Sequence, residues 1–262
     1  LTRRSLLVLS GGHPFDADGF AGLLGSLGGW EVTHLSHPAA EAAVAAGAAA
    51  DADALLFYDM AGYTFADGTV TARPPDPRFV AALEARFASG RGAVLMHHAL
   101  AAWGAWPGWS EIAGGRFLYQ PGLLRGQAHS DSGYRHDVAY TAEVVADHPV
   151  TAGVPAYFDL VDELYLAPVF EAEVIPLVRA RHDFAASGFY SAAHAVAGRM
   201  FDNSGWDHPR GSNLVGWARQ HGPARIVYLQ PGDGPPAYAS APLRRLLANA
   251  LDWTAQNERV TA

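Results

Sequence analysis

The chain has no cysteine among its 262 residues. That excludes disulfides, thiolate catalysis and cysteine-ligated zinc. Charge is also scarce: Asp, Glu, Lys and Arg make up 17% of the chain, with a formal net charge of −8. No basic cluster offsets that sign, which argues against nucleic acid as a partner. No apolar run approaches the length needed to cross a bilayer. The N-terminal run Ser5 to Leu9 stops at Gly11-Gly12-His13-Pro14, too soon for a secretory signal. The expectation is a cytoplasmic protein without a membrane partner. Half of the residues are hydrophobic, enough for a core without disulfide or metal staples. With no internal repeat, low-complexity segment or linker, residues 1–262 read as one domain. The apolar composition and the tryptophans would allow a homodimer interface.

Short apolar runs alternate with helical patterns in the first half. Leu6 to Ser10, Trp30 to Leu35, Ala54 to Tyr58 and Ala93 to Met96 predict strands. Between them, Asp18 is expected to cap a helix carrying Phe20, Leu23, Leu24 and Leu27, stopped by Gly28-Gly29. Ala39 to Ala50 predicts one alanine-rich helix. Ala61 to Pro75 reads as a loop, and Asp76 with Pro77 opens a helix that Gly90 ends. This alternation is that of a parallel sheet with right-handed crossovers. The second half reads as strands over Val138–Val145, Phe158–Tyr165, Val174–Arg179, Asn213–Trp217 and Ala224–Leu229. An irregular stretch spans Arg181 to Ser212, and a helix from Pro242 to Asn257 closes the chain.

The chain is organised around Gly90 to Trp103, where a buried strand runs straight into His97-His98. Ligands in open α/β sheets sit outside the carboxyl ends of strands. A hydrolase or amidotransferase presents Ser or Cys at such an elbow, and this chain presents imidazole. A serine hydrolase is disfavoured because neither Ser5 nor Ser10 stands at an elbow and no Gly-x-Ser-x-Gly occurs. Neighbours on a strand face opposite ways, and the reading favours His98 over His97 as the one facing the crevice. His13 and Asp59 also follow predicted strands, although Asp59 would equally serve to cap the next turn. The irregular half adds His129, His136, Asp162, Glu163, Trp206 and His208. Imidazole and carboxylate are what a zinc or manganese site needs once thiols are absent. His98, Glu163 and His136 are the candidate ligands of a divalent metal. His148-Pro149 reads as a turn, and His34, His37, His182, His194 and His221 as surface or satisfied polar groups. Trp103, Trp106 and Trp109 are either plain core or a stacking wall for a sugar ring.

These stretches resemble a known family. Gly92-Ala93-Val94-Leu95-Met96-His97-His98-Ala99 with Gly114-Gly115-Arg116-Phe117, then His148-Pro149-Val150-Thr151-Ala152-Gly153-Val154-Pro155 and Asp162-Glu163-Leu164-Tyr165, resemble the ThuA family. So does the C-terminal part, Gly216-Trp217-Ala218-Arg219 through Val227-Tyr228 to Asn249-Ala250-Leu251-Asp252-Trp253. The resemblance implies a class I glutamine amidotransferase-like fold without the catalytic cysteine. That fold is a flavodoxin-like α/β three-layer sandwich with a mostly parallel sheet, here with antiparallel strands added in the C-terminal half. It also implies a link to trehalose and related sugars. His98-Ala99 matches the family's His-Ala, and Glu163 its Asp-Glu-Leu-Tyr. Many members carry Gly-His-Asp near the C-terminus where this chain has Pro231-Gly232-Asp233, so His208 is expected to supply the missing imidazole.

Two readings follow. One is an enzyme acting on a carbohydrate, a sugar, keto-sugar or keto-glycoside, by metal-assisted elimination, hydration or hydrolysis. Its catalytic groups would be His98, Glu163, His208 and His13, with Asp59, Trp103, Trp206, Arg219 and His136 around the substrate. Arg219 would pair with the substrate or hold Glu163. The other is a non-catalytic sugar-binding or regulatory domain on a degenerate amidotransferase scaffold.

Overall fold

The computed structural model describes residues 3–255. In chain order its elements are β1 (Arg4–Gly11), α1 (Ala17–Gly25), β2 (Trp30–Ser36), α2 (Ala39–Ala45), α3 (Ala48–Asp51), β3 (Ala54–Asp59), β4 (Tyr63–Ala66), β5 (Thr69–Ala72), α4 (Pro77–Ala88) and β6 (Ala93–Met96). A 3-10 turn, His97–Leu100, leads to α5 (Pro107–Ala113), β7 (Gly122–Leu124), β8 (Gln127–His129), β9 (Gly133–Val144), β10 (Tyr157–Leu166), β11 (Ile175–Arg181), β12 (Tyr190–Ser191) and α6 (Ala192–Val196). β13 (Leu214–His221), β14 (Ala224–Leu229), α7 (Pro235–Ala239) and α8 (Ala241–Ala255) complete the described chain. The end of the closing helix expected at Asn257 lies outside the described residues.

One ten-stranded sheet runs β10-β9-β11-β13-β14-β6-β3-β1-β2, with β12 paired to β9. β2, β1, β3, β6 and β14 are mutually parallel, whereas β13, β11, β9 and β10 join through antiparallel pairs. Every residue of β3 and β6 is buried, because both faces of these central strands are covered. On one face Val8, Leu56 and Val94 meet Phe20, Leu23, Tyr238, Leu243 and Leu247 of α1, α7 and α8. On the other, Leu7, Leu55, Phe57 and Leu95 meet Val44, Phe79, Leu83 and Trp109 of α2, α4 and α5. The three layers are therefore helix, sheet, helix. Fully burying one such Leu or Phe stabilises by about 1.5–3 kcal/mol.

Local corrections have local causes. Asp16, not Asp18, caps α1, accepting the Gly19 N–H, and the helix ends at Gly25 rather than Gly28. The single helix expected over Ala39–Ala50 is two, α2 and α3, broken at Gly47. The loop expected over Ala61–Pro75 contains the β4–β5 hairpin, whose turn residues Asp67 and Gly68 both have positive φ, the signature of a type I′ turn. Asp76 does cap α4, accepting the Arg78 N–H with Pro77 in the first turn.

Glu41 of α2 joins this region. Its buried carboxylate accepts from Arg73 (2.7 Å) and from the Asp76 N–H (2.7 Å). Burial opposes ionisation there, but Arg73, the Asp76 N–H and His37 outweigh it and hold Glu41 below its ordinary 4.5. A depressed carboxylate pKa stabilises the fold above its unfolded value, so this contribution should fade as pH falls below about 4.5. Arg73 is half exposed, which screens the pair. Glu41→Ala is expected to cost about 1–3 kcal/mol at pH 7, chiefly the orphaned donors, and less at pH 3, where the ion pair has weakened but the donors remain orphaned. Urea melts at the two pH values check this.

Candidate functional site

His97 and His98 leave β6, which lies between β3 and β14 among the parallel strands. The alternation expected of a strand does not apply to them, because both belong to the 3-10 turn and His97 has φ 51°. Both imidazoles therefore reach one place. The Tyr165 hydroxyl bridges them, 2.9 Å from His97 Nε2 and 2.8 Å from His98 Nδ1.

Glu163 arrives from β10 through a bulge. Asp162 opposes Val138 and Leu164 opposes Arg135, so His136 and Asp137 of β9 face Glu163 alone. A bulge re-aims side chains, and here it turns both Asp162 and Glu163 inward, 4% and 3% exposed. His136 Nδ1 lies 3.5 Å from Glu163 Oε1 and 3.9 Å from Asp233 Oδ2.

Asp233 follows β14. Its backbone N–H and that of Gly232 donate to Asp162 Oδ1 and Oδ2 at 3.0 and 2.6 Å. The Tyr58 hydroxyl donates to the Gly232 carbonyl. Gly232 has φ 137°, and a Cβ there would meet Met96 Cε at 2.2 Å. Where the family histidine was expected, Gly232 therefore passes tightly over Met96, and the next residue, Asp233, delivers a carboxylate.

His97, His98, Glu163 and Asp233 each offer an atom within 4.8 Å of the others. His97 is fully buried, and its Nδ1 lies 2.6 Å from the Gln230 carbonyl. A carbonyl only accepts, so Nδ1 carries the proton. Its Nε2 then lies 3.2 Å from Glu163 Oε2 and 3.3 Å from Asp233 Oδ1. Burial would lower His97, but the adjacent carboxylates of Asp233 and Glu163 outweigh it and raise it to about 10. Glu163 Oε2 is buried without a hydrogen-bond partner; its approach to His97 lacks bonding alignment. Two imidazoles and two carboxylates around an orphaned buried oxygen fit a divalent cation such as zinc or manganese.

The neighbouring groups are pushed apart. Burial and the charges of His97 and His13 hold His98 well below its ordinary value. His136 is raised, by Asp233 first and against its own burial. Burial tends to raise Asp233, but hydrogen bonds from His136 and His97 hold it well below the usual carboxylate range. His13, placed by the Gly11-Gly12 turn, lies with its ring centroid 3.8 Å from that of His98, tilted by 59°, and burial lowers it.

Not every candidate converges here. Trp103 is fully buried against His37 and Phe79, so it is core and cannot stack on a ligand. Asp59 is fully buried and accepts from His37 Nε2 at 2.8 Å. Arg219 does not reach Glu163; its nearest carboxylate is Glu173, 3.9 Å away. His208 lines a separate surface cleft with His129 and Arg125, so it does not supply the missing imidazole. Trp206 donates to Asp131 at 3.0 Å and packs on Gly133. His97, ranked behind His98, and Asp233, noted only beside the missing family histidine, complete the cluster.

A family model described as ThuA, trehalose utilisation, matches residues 21–254. The structure is similar to a ThuA-like protein of Parabacteroides merdae, 14% identical, with 97% of this chain and 91% of that one covered at a TM-score of 0.65. A ThuA-like protein of Bacteroides uniformis is 17% identical over 96% and 91% of the two chains, at 0.60. A Thermoplasma acidophilum protein described as part of a GMP synthase is 8% identical over 97% and 96%, at 0.51. Among curated proteins, none matches in sequence. The fold is thus glutamine amidotransferase-like, with imidazole rather than thiol after its central strand. No helix among the described residues is long and apolar enough to cross a membrane.

Proposed function

Because the chain belongs to the ThuA family, we propose that the His97–His98–Glu163–Asp233 cluster is the active centre of a carbohydrate-transforming enzyme. Its substrate is a sugar or glycoside in oxidised, keto form, changed by elimination, hydration or hydrolysis. The observation that carries this reading is the convergence of two imidazoles on two carboxylates, one with an unpartnered buried oxygen. A divalent cation bound there supplies polarisation of a carbonyl or hydroxyl.

Proton movement falls to residues beside the cluster. His13 Nδ1 lies 2.9 Å from the Pro14 carbonyl and Nε2 3.3 Å from that of Tyr58. With its pKa lowered by burial and its proton on Nδ1 for the Pro14 carbonyl, His13 becomes the acceptor once Nε2 turns from the Tyr58 carbonyl toward substrate. His136, its pKa raised beside Asp233, retains a proton near neutrality and is the donor. Two groups with pKa values driven in opposite directions form an acid–base pair. Tyr165 and Gln230 fix the imidazoles but move no proton to substrate.

The test is elemental mass spectrometry on untagged protein together with His98→Ala and Glu163→Gln. About one metal per chain, lost in both variants, is expected, with turnover of a keto-glycoside that parallels occupancy. Sugar binding without metal or turnover in the wild type would make the protein a binding domain instead.

A further inference from the structure

His98 and Glu163 lie at one end of a cavity of about 260 Å³. Beyond them its walls are apolar, with Met60, Phe65, Phe117, Val196 and Met200 prominent. The phenols that also face it are already engaged. Tyr119 bonds Met60 Sδ, Tyr134 accepts the Phe201 N–H at 3.0 Å, and Tyr165 bridges the two histidines. A sugar ring lying in this cavity would strip water from its hydroxyls and find few partners in exchange, which is costly. An apolar ring would lose nothing.

The solvent side of the same cluster is different. There the side chains of His136 and Asp233 are 38% and 35% exposed, and His13 is half-buried beside them. His98 and Glu163 thus stand at a seam between a polar shelf and an apolar cavity. Resting on the active-centre reading above, we infer that the substrate is a glycoside with an aromatic aglycone. The sugar occupies the shelf over His13, His136 and Asp233, and the aglycone ring enters the cavity. The bond to be changed then lies at the seam.

Size supports this division. An apolar cavity of about 150 Å³ holds one benzene ring, so 260 Å³ accommodates a substituted ring. The cavity mouth is formed by the β4–β5 hairpin and the segment after α6, which meet where Gly68 approaches Ala197. Phe65 and Met200 stand there, 43% and 51% exposed, where an incoming ring would cover them.

The probe is 4-nitrophenol, titrated by calorimetry against wild type, Ala195→Phe and Phe65→Ala. Ala195 lines the cavity from a half-buried position in α6, so a larger side chain there fills the cavity without entering the core. Saturable binding, weakened at least about tenfold by Ala195→Phe and severalfold by Phe65→Ala, is expected. An aryl keto-glycoside should exceed its methyl counterpart in kcat/KM by about tenfold or more, with the ratio collapsing in both variants. Absence of saturable binding, or equal binding by wild type and Ala195→Phe with melting unchanged, overturns the inference. Turnover that ignores the aglycone overturns it and leaves the active-centre reading standing. Binding in the expected pattern without turnover of any glycoside supports the cavity's ligand class and removes the catalytic reading.

Discussion

Glu163→Gln is expected to lower turnover by about 10²–10⁴-fold while leaving the melting temperature unchanged or higher. Glu163 is 3% exposed and its Oε2 has no hydrogen-bond partner. Burying a carboxylate costs several kcal/mol unless its partners compensate, and here one oxygen has an imidazole at 3.2 Å but no aligned hydrogen bond. Glutamine has the same shape and no charge, so the fold loses little by the exchange. Asp233 remains beside His97 at 3.3 Å to hold that ring. The chemistry, by contrast, loses its anionic donor. Stability surrendered locally for function is a recurrent trade in active centres. Thermal melts by circular dichroism, run beside kinetics on a keto-glycoside, check both halves. Equal loss of activity and stability would make Glu163 a structural group, and full activity would remove it from the centre.

How much of this could be read beforehand depended on what each signal encodes. The parallel half was legible because strands buried on both faces need short apolar runs, and Leu6–Leu9, Ala54–Tyr58 and Ala93–Met96 are such runs. The Asp76-Pro77 helix start was legible because a cap is local chemistry. The β4–β5 hairpin was missed although Asp67-Gly68 is a strong turn signal, since its flanking strands are mostly exposed and bury no apolar stripe. Alanine-rich sequence hid the break at Gly47, where propensity alone favours a continuous helix. At the centre, His98 and Glu163 could be found from strand ends. His97 could not, because its partition from His98 assumed strand geometry one residue too far; a positive φ brings both rings together. Asp233 stands beside the missing family histidine, but nothing local marks it as a ligand. Its place is set by Asp162, 71 residues away, and no local pattern carries such a contact. Trp103 shows the converse: aromatic richness near an elbow does not distinguish a pocket wall from a core.

That dependence makes Asp162 a sensitive structural position. Asp162→Ala is expected to destabilise the protein by about 2–5 kcal/mol, because two backbone N–H groups, of Gly232 and Asp233, lose their acceptor in a nearly closed setting. In a chain of this size that corresponds to a melting temperature lower by roughly 5–15 °C. The effect should not stop at stability. Gly232 lies against Met96 with a backbone conformation unfavourable to other residues, so without its anchor the segment has reason to relax away from β6. Asp233 would leave the cluster with it, and bound metal and turnover would fall together. Asp162→Asn keeps one acceptor oxygen and should recover part of both. The pair of variants separates this anchoring role from simple removal of a buried charge, which both substitutions accomplish. Charge removal alone predicts equal stability for the two, and burial pushes the Asp162 carboxyl up to about 6, so it would even favour them over wild type. Urea melts and metal analysis on Asp162→Ala and Asp162→Asn therefore decide it: Ala well below Asn in stability and metal content supports the anchor, and equality of the two sinks it.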